Sequence, residues 1–177
     1  MLYAAIRETL LTMAAEDQRV RELVIERHPL GGSVDPELSE ELVNIDQHNT
    51  ERLKQIVAEH GWPGRSLVGE DGADAAWLLA QHADRDLAFQ KQCLDLLRAA
   101  VLADEAKPCQ AAYLDDRVAV HEGRPQRYGT QFEVQAGDLV PSPIAGPDQV
   151  DERRRSVGLG TLAETTDDTR RQYGRQA

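Results

Sequence analysis

Apolar residues recur every three or four positions through most of the first 121 residues, the pattern of helices that bury one face. In residues 1–27 this stripe runs through Leu2, Ile6, Leu10, Met13, Val20 and Val24. His28–Pro29 and Gly31–Gly32 then predict the end of the first helix, because proline and glycine interrupt helical backbone. We therefore expect a chain that folds mainly as packed helices.

Four further helices are predicted in the same way. The second begins at Pro36, with Asp35 as its N-cap, and ends before the Gly61–Trp62–Pro63–Gly64 break. The third, fourth and fifth are predicted at about residues 72–83, 86–106 and 108–121, with Asp84 as N-cap of the fourth. The expected fold class is mainly α, a bundle-like single domain of about five helices.

The character of the chain changes after Gly123. Residues 123–164 are rich in proline and glycine, and we expect a covering loop that holds one short strand and a short helix. Residues 165–177 are polar and are predicted to form a disordered tail. The single domain is thus expected to span residues 1–164, with its main helices within 1–122.

Charge and cysteine content limit the partners that we expect. Acids outnumber bases 31 to 20, for a net charge of −11, which argues against a nucleic-acid or an anionic membrane partner. Because the sequence has no run of 18 apolar residues and no basic segment followed by an apolar one at its start, we expect neither a membrane span nor a signal peptide. Two cysteines, Cys93 and Cys109, exclude a disulfide scaffold and favour the cytoplasm. We expect a polar small molecule as partner and no evident cofactor, and the oligomeric state stays open.

Polar residues interrupt two of the predicted apolar stripes. Asp17 takes a stripe position in the first helix, where Arg21, four residues later, lies on the same face and can pair with it. Asn49 interrupts the second stripe, with Asp46 on nearly the same face. Both positions are compatible with a hydrogen-bond network between helices and with a polar site.

His82 is the best candidate for a general acid or base, because imidazole titrates near neutral pH. It ends a helix that is predicted to be buried, and Asp84 or Asp86 is placed to orient it. The same residues allow a two-ligand metal site, although the spacing is unspecific. The alternative is a histidine that is hydrogen-bonded within the core, with a carboxylate capping the next helix.

A loop after the fifth helix offers further candidates for substrate binding. Tyr128, Thr130 and Gln131 surround Gly129 and carry hydroxyl and amide groups that suit a polar small molecule. Asp116 lies on the apolar face of the fifth helix and is expected to point inward. A loop that only closes over the bundle and satisfies helix ends is the alternative.

Several short blocks together resemble a bacterial family of domains of unknown function. They include Gly61–Trp62–Pro63, Trp77–Leu78 followed by Gln81–His82–Ala83–Asp84, and Pro125–Gln126 followed by Tyr128–Gly129–Thr130–Gln131. The resemblance extends over residues 13–160 and supplies no reaction. It implies that the family blocks coincide with the polar residues on inward faces, which favours a shared polar pocket.

Our leading hypothesis is a small enzyme that hydrolyses, isomerises or cyclises a polar small molecule in a pocket between helices. The expected catalytic residues are His82, Asp84 and Asp17. The expected substrate-binding residues are Arg21, Asn49, Asp116, Tyr128, Thr130 and Gln131. Two alternatives stay open: a non-catalytic module with an acidic surface that binds a ligand or a protein, and a metal-dependent enzyme using His82 and nearby carboxylates. Fingerprints of nucleotide-binding loops, zinc proteases and serine hydrolases are missing from the sequence.

Overall fold

The computed structural model describes residues 2–28 and 33–173. Within them the chain forms seven α-helices and one two-stranded antiparallel sheet, which confirms the mainly α fold. The helices are α1 (Leu2–Arg27), α2 (Pro36–His60), α3 (Arg65–Gln81), α4 (Leu87–Leu102), α5 (Pro108–His121), α6 (Val150–Ser156) and α7 (Leu162–Tyr173). The strands are β1 (Phe132–Gln135) and β2 (Asp138–Pro141), and a 3₁₀ turn, Pro147–Gln149, precedes α6.

The first five helices share one hydrophobic core. Each contributes a leucine that is almost completely buried, and these are Leu10, Leu53, Leu79, Leu97 and Leu114. Burying one such side chain contributes roughly 1.5–3 kcal/mol. Helix α1 packs most extensively against α3, and α4 packs against α5. This arrangement brings the middle of α1 beside the C-terminal end of α3.

The bounds of α3 and α4 differ from the sequence prediction, and α4 ends at Leu102 rather than near residue 106. Helix α3 begins at Arg65 rather than near residue 72. It contains a kink at Gly69, whose φ of +77° is a conformation that glycine adopts without steric strain. Helix α4 is capped by Asp86, whose carboxylate accepts a hydrogen bond from the backbone N–H of Phe89 at 2.9 Å. The prediction of Asp84 as this cap was wrong, so the Asp84 carboxylate is available for a contact with another side chain. The predicted Pro29 and Gly31–Gly32 break lies outside the described residues.

The C-terminal part is more ordered than its composition indicates. A hairpin replaces the single predicted strand, with Gln135 paired to Asp138 around the two-residue turn Ala136–Gly137. Both turn residues have positive φ, as expected for a hairpin turn that follows the twist of its strands. Helix α7 occupies most of the predicted disordered tail, and residues 174–177 lie outside the described part.

Helix α7 is tied to the hairpin by one side chain. Arg170 donates a hydrogen bond to the backbone carbonyl of Leu139 at 3.1 Å and forms a salt bridge with Asp138 at 2.6 Å. These contacts hold a polar, amphipathic segment against the remainder of the protein, although its composition alone is typical of disorder. The described residues contain no helix that is both long and apolar enough to cross a membrane.

The two cysteines are free thiols in different surroundings. Cys93 lies in the core on α4, where burial raises the pKa of its thiol to about 12. The thiol therefore stays protonated at neutral pH and behaves as a small apolar side chain. Cys109, at the start of α5, is partly exposed.

Candidate functional site

The end of α3 places His82 against a buried carboxylate of α1. Nδ1 of His82 lies 2.9 and 2.8 Å from the two carboxylate oxygens of Asp17. The Asp17 side chain is 0% exposed and that of His82 is 14% exposed. His82 is the C-cap of α3, so it sits where the helix ends and the chain turns. The Asp17 position, which breaks the apolar stripe of α1, is thus explained by a partner on another helix.

Two further side chains complete the surroundings of Asp17. Arg21 donates from Nε to Asp17 at 3.1 Å, which confirms the predicted pair, and Gln18 donates at 2.9 Å. Arg21 also donates from Nη2 to Asp46 on α2 at 2.6 Å. One arginine therefore joins two carboxylates from α1 and α2, and Asp17 accepts hydrogen bonds from three different side chains.

The surroundings favour an ionised Asp17 and a neutral His82. Burial lowers the pKa of His82, and the positive charges of Arg21 and Arg117 lower it further against the opposing effect of Asp17. Burial alone would raise the pKa of Asp17. The hydrogen bond from His82, the charge that His82 carries once it is protonated at acid pH, and the contacts with Arg21 and Gln18 outweigh burial and lower that pKa. A carboxylate can only accept, so Nδ1 carries the imidazole proton and Nε2 has the free lone pair.

His82 also lines a cleft, which we name the His82 cleft. It has a volume of about 430 Å³ and lies between α3, α5, the hairpin and α7. No described residue hydrogen-bonds to Nε2 of His82, and this atom is not among the buried unpaired polar atoms of the described chain. Solvent therefore reaches the basic nitrogen of the ring.

Aromatic and charged side chains form the walls of the His82 cleft. Trp77 and Tyr113 meet edge to face, with their ring centroids 5.9 Å apart. Arg117 also lines the cleft, and it donates to both carboxylate oxygens of Asp84 at 2.7 and 2.5 Å. Asp84 thus positions Arg117. It does not orient His82, contrary to the sequence prediction, because Asp17 already occupies Nδ1 of the ring.

The loop after α5 brings Thr130 and Gln131 into the same cleft. Asp116, 0% exposed, accepts hydrogen bonds from the backbone N–H groups of Arg127 (2.6 Å), Tyr128 (2.9 Å) and Thr130 (3.0 Å), and from the Thr130 hydroxyl (3.0 Å). The expectation that Asp116 points inward is confirmed. Its carboxylate is occupied by the loop, so in this structure it holds the loop instead of facing the His82 cleft.

Two more buried residues support this loop. Gln126 donates to the carbonyls of Gln131 and Ser142, both at 2.8 Å, and accepts from the N–H of Gln131 at 2.9 Å. Arg154 of α6 donates to the Tyr128 carbonyl at 2.7 Å and to the Thr165 hydroxyl of α7. These bonds connect α6 to the loop and to α7, and residues of the loop and of α7 line the His82 cleft.

The remaining predicted binding residues lie elsewhere. Arg21 is behind Asp17 and is not among the residues that line the His82 cleft. Asn49 lines a different cleft, between α1 and α2. Tyr128 faces another pocket, where the Arg127 guanidinium lies 5.5 Å from its ring centroid. Of the six predicted substrate-binding residues, only Thr130 and Gln131 line the cleft with His82.

The sequence analysis did not select several residues that line the His82 cleft. Trp77 and Gln81 on α3, like Tyr113 and Arg117 on α5, are four residues apart and share a helix face, which is a signal the sequence contains. Thr165 and Thr169 of α7 also line it, but a segment predicted to be disordered gave no reason to select them. In the described residues, no group of three or more His, Cys, Asp or Glu side chains has an arrangement suited to a metal ion.

Comparison with known proteins gives a family and no activity. No curated protein and no solved structure matches the chain. The family DUF6624, described as a family of unknown function, matches residues 4–176, which is nearly the whole sequence. The chain therefore belongs to the DUF6624 family.

Proposed function

We propose that this protein is an enzyme that acts on a polar small molecule by acid–base chemistry in the His82 cleft. The observation that carries the proposal is the state of His82. Its Nδ1 is held by a fully buried carboxylate, while its Nε2 is unpaired among the described residues and reached by solvent. A neutral imidazole held in one tautomer with an accessible lone pair is suited to act as a general base.

In the proposed mechanism, Nε2 of His82 takes a proton from a water molecule or from a hydroxyl of the substrate. The imidazolium that forms is stabilised by Asp17, which stays ionised, and it then returns the proton to the leaving or rearranged group. Asp17 thus has the orienting role that the sequence had given to Asp84. Hydrolysis, isomerisation and cyclisation are all compatible with this proton transfer.

The cleft offers both aromatic and polar side chains to a substrate. Trp77 and Tyr113 provide an aromatic wall, and burial raises the pKa of Tyr113, so that its hydroxyl remains a hydrogen-bond donor at neutral pH. Thr130, Gln131 and Arg117 provide polar groups in the same cleft. Such a pocket suits a molecule with a flat or apolar part and several hydrogen-bonding groups. We place the enzyme in the cytoplasm, where both cysteines would remain reduced.

The proposal is tested by a turnover screen with a matched pair of variants. Pools of polar metabolites are incubated with the wild-type protein, with His82→Gln and with His60→Gln, and their conversion is followed by mass spectrometry. Glutamine can still donate to Asp17 from its amide, but it has no titratable base. His60, on α2 and outside this cleft, has a similarly buried side chain and serves as the control.

We expect His82→Gln to lower turnover by about a hundredfold or more, while its free energy of unfolding stays within about 1 kcal/mol of the wild type. His60→Gln should retain turnover. Metabolites that bind in the cleft but are not converted by the wild type would instead indicate a ligand-binding module. Turnover that survives in His82→Gln would remove His82 from the mechanism.

A further inference from the structure

A second cleft, which we name the acidic cleft, lies between α1 and the N-terminal half of α2. Its volume is about 620 Å³, within the range of small-molecule sites. Four glutamates line it: Glu16, Glu37, Glu40 and Glu41. Deeper side chains include the core residue Met13, the half-buried Ile45 and Asn49. The acidic cleft shares no lining residue with the His82 cleft.

Asn49 has no structural partner that accounts for its presence. It is 5% exposed, and neither of its amide atoms hydrogen-bonds to a described residue. Its Nδ2 is buried and unpaired, whereas its Oδ1 is not among the buried unpaired atoms and is therefore reached from the cleft. A buried amide without partners destabilises a fold, and an apolar residue at this stripe position would not. The part of Asn49 that a ligand can reach is therefore Oδ1, an acceptor without a partner among the described residues, and a ligand that fits it must bring a hydrogen-bond donor.

The charge of the rim indicates which ligand this is. Arg19 bridges Glu16 and Glu41, with N–O distances of 2.9 and 2.6 Å. Glu37 and Glu40 form no salt bridge within the described residues, so carboxylates at the rim outnumber their cationic partner. These carboxylates and the Asn49 oxygen are all hydrogen-bond acceptors, whereas Met13 and Ile45 offer apolar contact.

We infer that the acidic cleft binds an organic cation, a primary ammonium or a guanidinium carried on an apolar body. The cationic group donates hydrogen bonds to Asn49 Oδ1 and is attracted by the glutamates, while the apolar body covers Met13 and Ile45. This site is independent of the proposed reaction at His82, so its test does not require turnover.

The first experiment compares three probes of similar shape by calorimetry and by amide shifts in NMR spectra. Phenethylammonium and benzylguanidinium carry the cation, and 2-phenylethanol is their neutral counterpart. We expect saturable binding of at least one cation, weakened by added salt, with the largest shifts around Asn49 and Ile45. The inference fails if neither cation saturates the site, or if the neutral probe binds as tightly.

Variants then locate the site. Glu37→Gln with Glu40→Gln should weaken cation binding about fivefold or more. The control, Asp148→Asn with Glu152→Gln, changes the net charge equally at exposed positions outside the cleft. Asn49→Leu should weaken binding about tenfold without lowering the thermal midpoint, which separates a ligand contact from a structural one. Equal losses in both double variants, or unchanged binding in Asn49→Leu, would overturn the inference.

Discussion

Asp17 and Asp116 are equally buried and have opposite surroundings. Both carboxylates are 0% exposed, and both interrupt the apolar face of a helix. Asp116 receives its hydrogen bonds from three backbone N–H groups and one hydroxyl of a single loop. Asp17 receives its hydrogen bonds from the side chains of His82, Arg21 and Gln18. Burial alone therefore does not distinguish a carboxylate that holds the fold from one that is suited to chemistry.

The difference lies in whether the donors can change. Backbone N–H groups are permanent donors, so Asp116 must remain an acceptor for the loop to keep its shape. His82 can exchange its proton between two nitrogens and can also gain one, so the Asp17 pair has more than one workable state. The same substitution should therefore have different effects at the two positions.

The largest effect on stability is expected for Asp116→Asn. The amide replaces one acceptor oxygen with an NH₂ group that faces backbone donors unable to adapt. We expect the free energy of unfolding to fall by about 2–4 kcal/mol, measured by urea denaturation. Unfolding of the wild type provides the reference. A loss below that of Asp17→Asn would contradict this account of the two aspartates.

The loop held by Asp116 contains a second sensitive position, Gly129. Its φ is +69°, and an added Cβ would lie 2.7 Å from Leu162 Cδ1 and 2.9 Å from Ile144 Cδ1. We expect Gly129→Ala to lower the free energy of unfolding by about 2–3 kcal/mol, through backbone strain and overpacking together.

Gly123→Ala is the matched control for this prediction. Gly123 has a φ of +70°, but its added Cβ would have no atom within 4 Å. This variant should lose only about 1 kcal/mol, the cost of the backbone conformation. Equal losses in the two variants would show that crowding of the added Cβ against Leu162 and Ile144 costs little free energy of unfolding.

The helical part of the fold was open to prediction because its signals are local. The apolar spacing and the Gly61–Gly64 break located the main helices, and α5 was placed correctly at Pro108–His121. Helix α7 was missed because its order depends on contacts distant in sequence, such as that between Arg170 and Leu139. A sequence shows that a segment is polar, but not that another segment holds it.

The candidate site likewise has one part that local sequence signals predict and one part that depends on contacts between distant segments. The Asp17–Arg21 pair was predictable because residues four apart share a helix face. The hydrogen bond between Asp17 and His82 joins residues 65 positions apart and depends on how α1 crosses α3. The choice of Asp84 as partner of His82 followed proximity in sequence, whereas the structure pairs Asp84 with Arg117 on α5.

Asp17→Asn should have a smaller effect on stability than either Asp116→Asn or Gly129→Ala. His82 can shift its proton to Nε2 and accept a hydrogen bond from the new amide through Nδ1, so we expect a loss of about 1 kcal/mol in urea denaturation. The same shift removes the lone pair from Nε2. Turnover, once a substrate is known, should therefore fall by about a hundredfold or more.

Measuring both stability and turnover in Asp17→Asn separates a structural role of Asp17 from a catalytic one. A stability loss as large as that of Asp116→Asn would mean that Asp17 is chiefly a structural anchor. Full turnover in Asp17→Asn would show that the tautomer of His82 does not matter to the reaction. Either result would remove the contrast between the two buried aspartates.

The smallest effect concerns the pH dependence of stability. The pKa of His82 in the folded protein is lowered from its ordinary value of 6.5, mainly by burial, so the unfolded chain binds this proton more readily. The corresponding stability is complete above pH 6.5 and is lost as the pH falls from 6.5 towards the lowered pKa. Between about pH 7.5 and about pH 5, the wild type should therefore lose more stability than His82→Gln, by about 1 kcal/mol or less.

An NMR titration of the His82 ring shows directly whether its pKa is lowered or raised in the folded protein. We expect its midpoint below pH 6.5, together with a flatter stability curve for His82→Gln than for the wild type. A midpoint above about pH 7 would mean that Asp17 holds an imidazolium, with no lone pair on Nε2 at neutral pH. Asp17 would then resemble Asp116, as a carboxylate whose donors are fixed, and His82 would enter a reaction as an acid and not as a base.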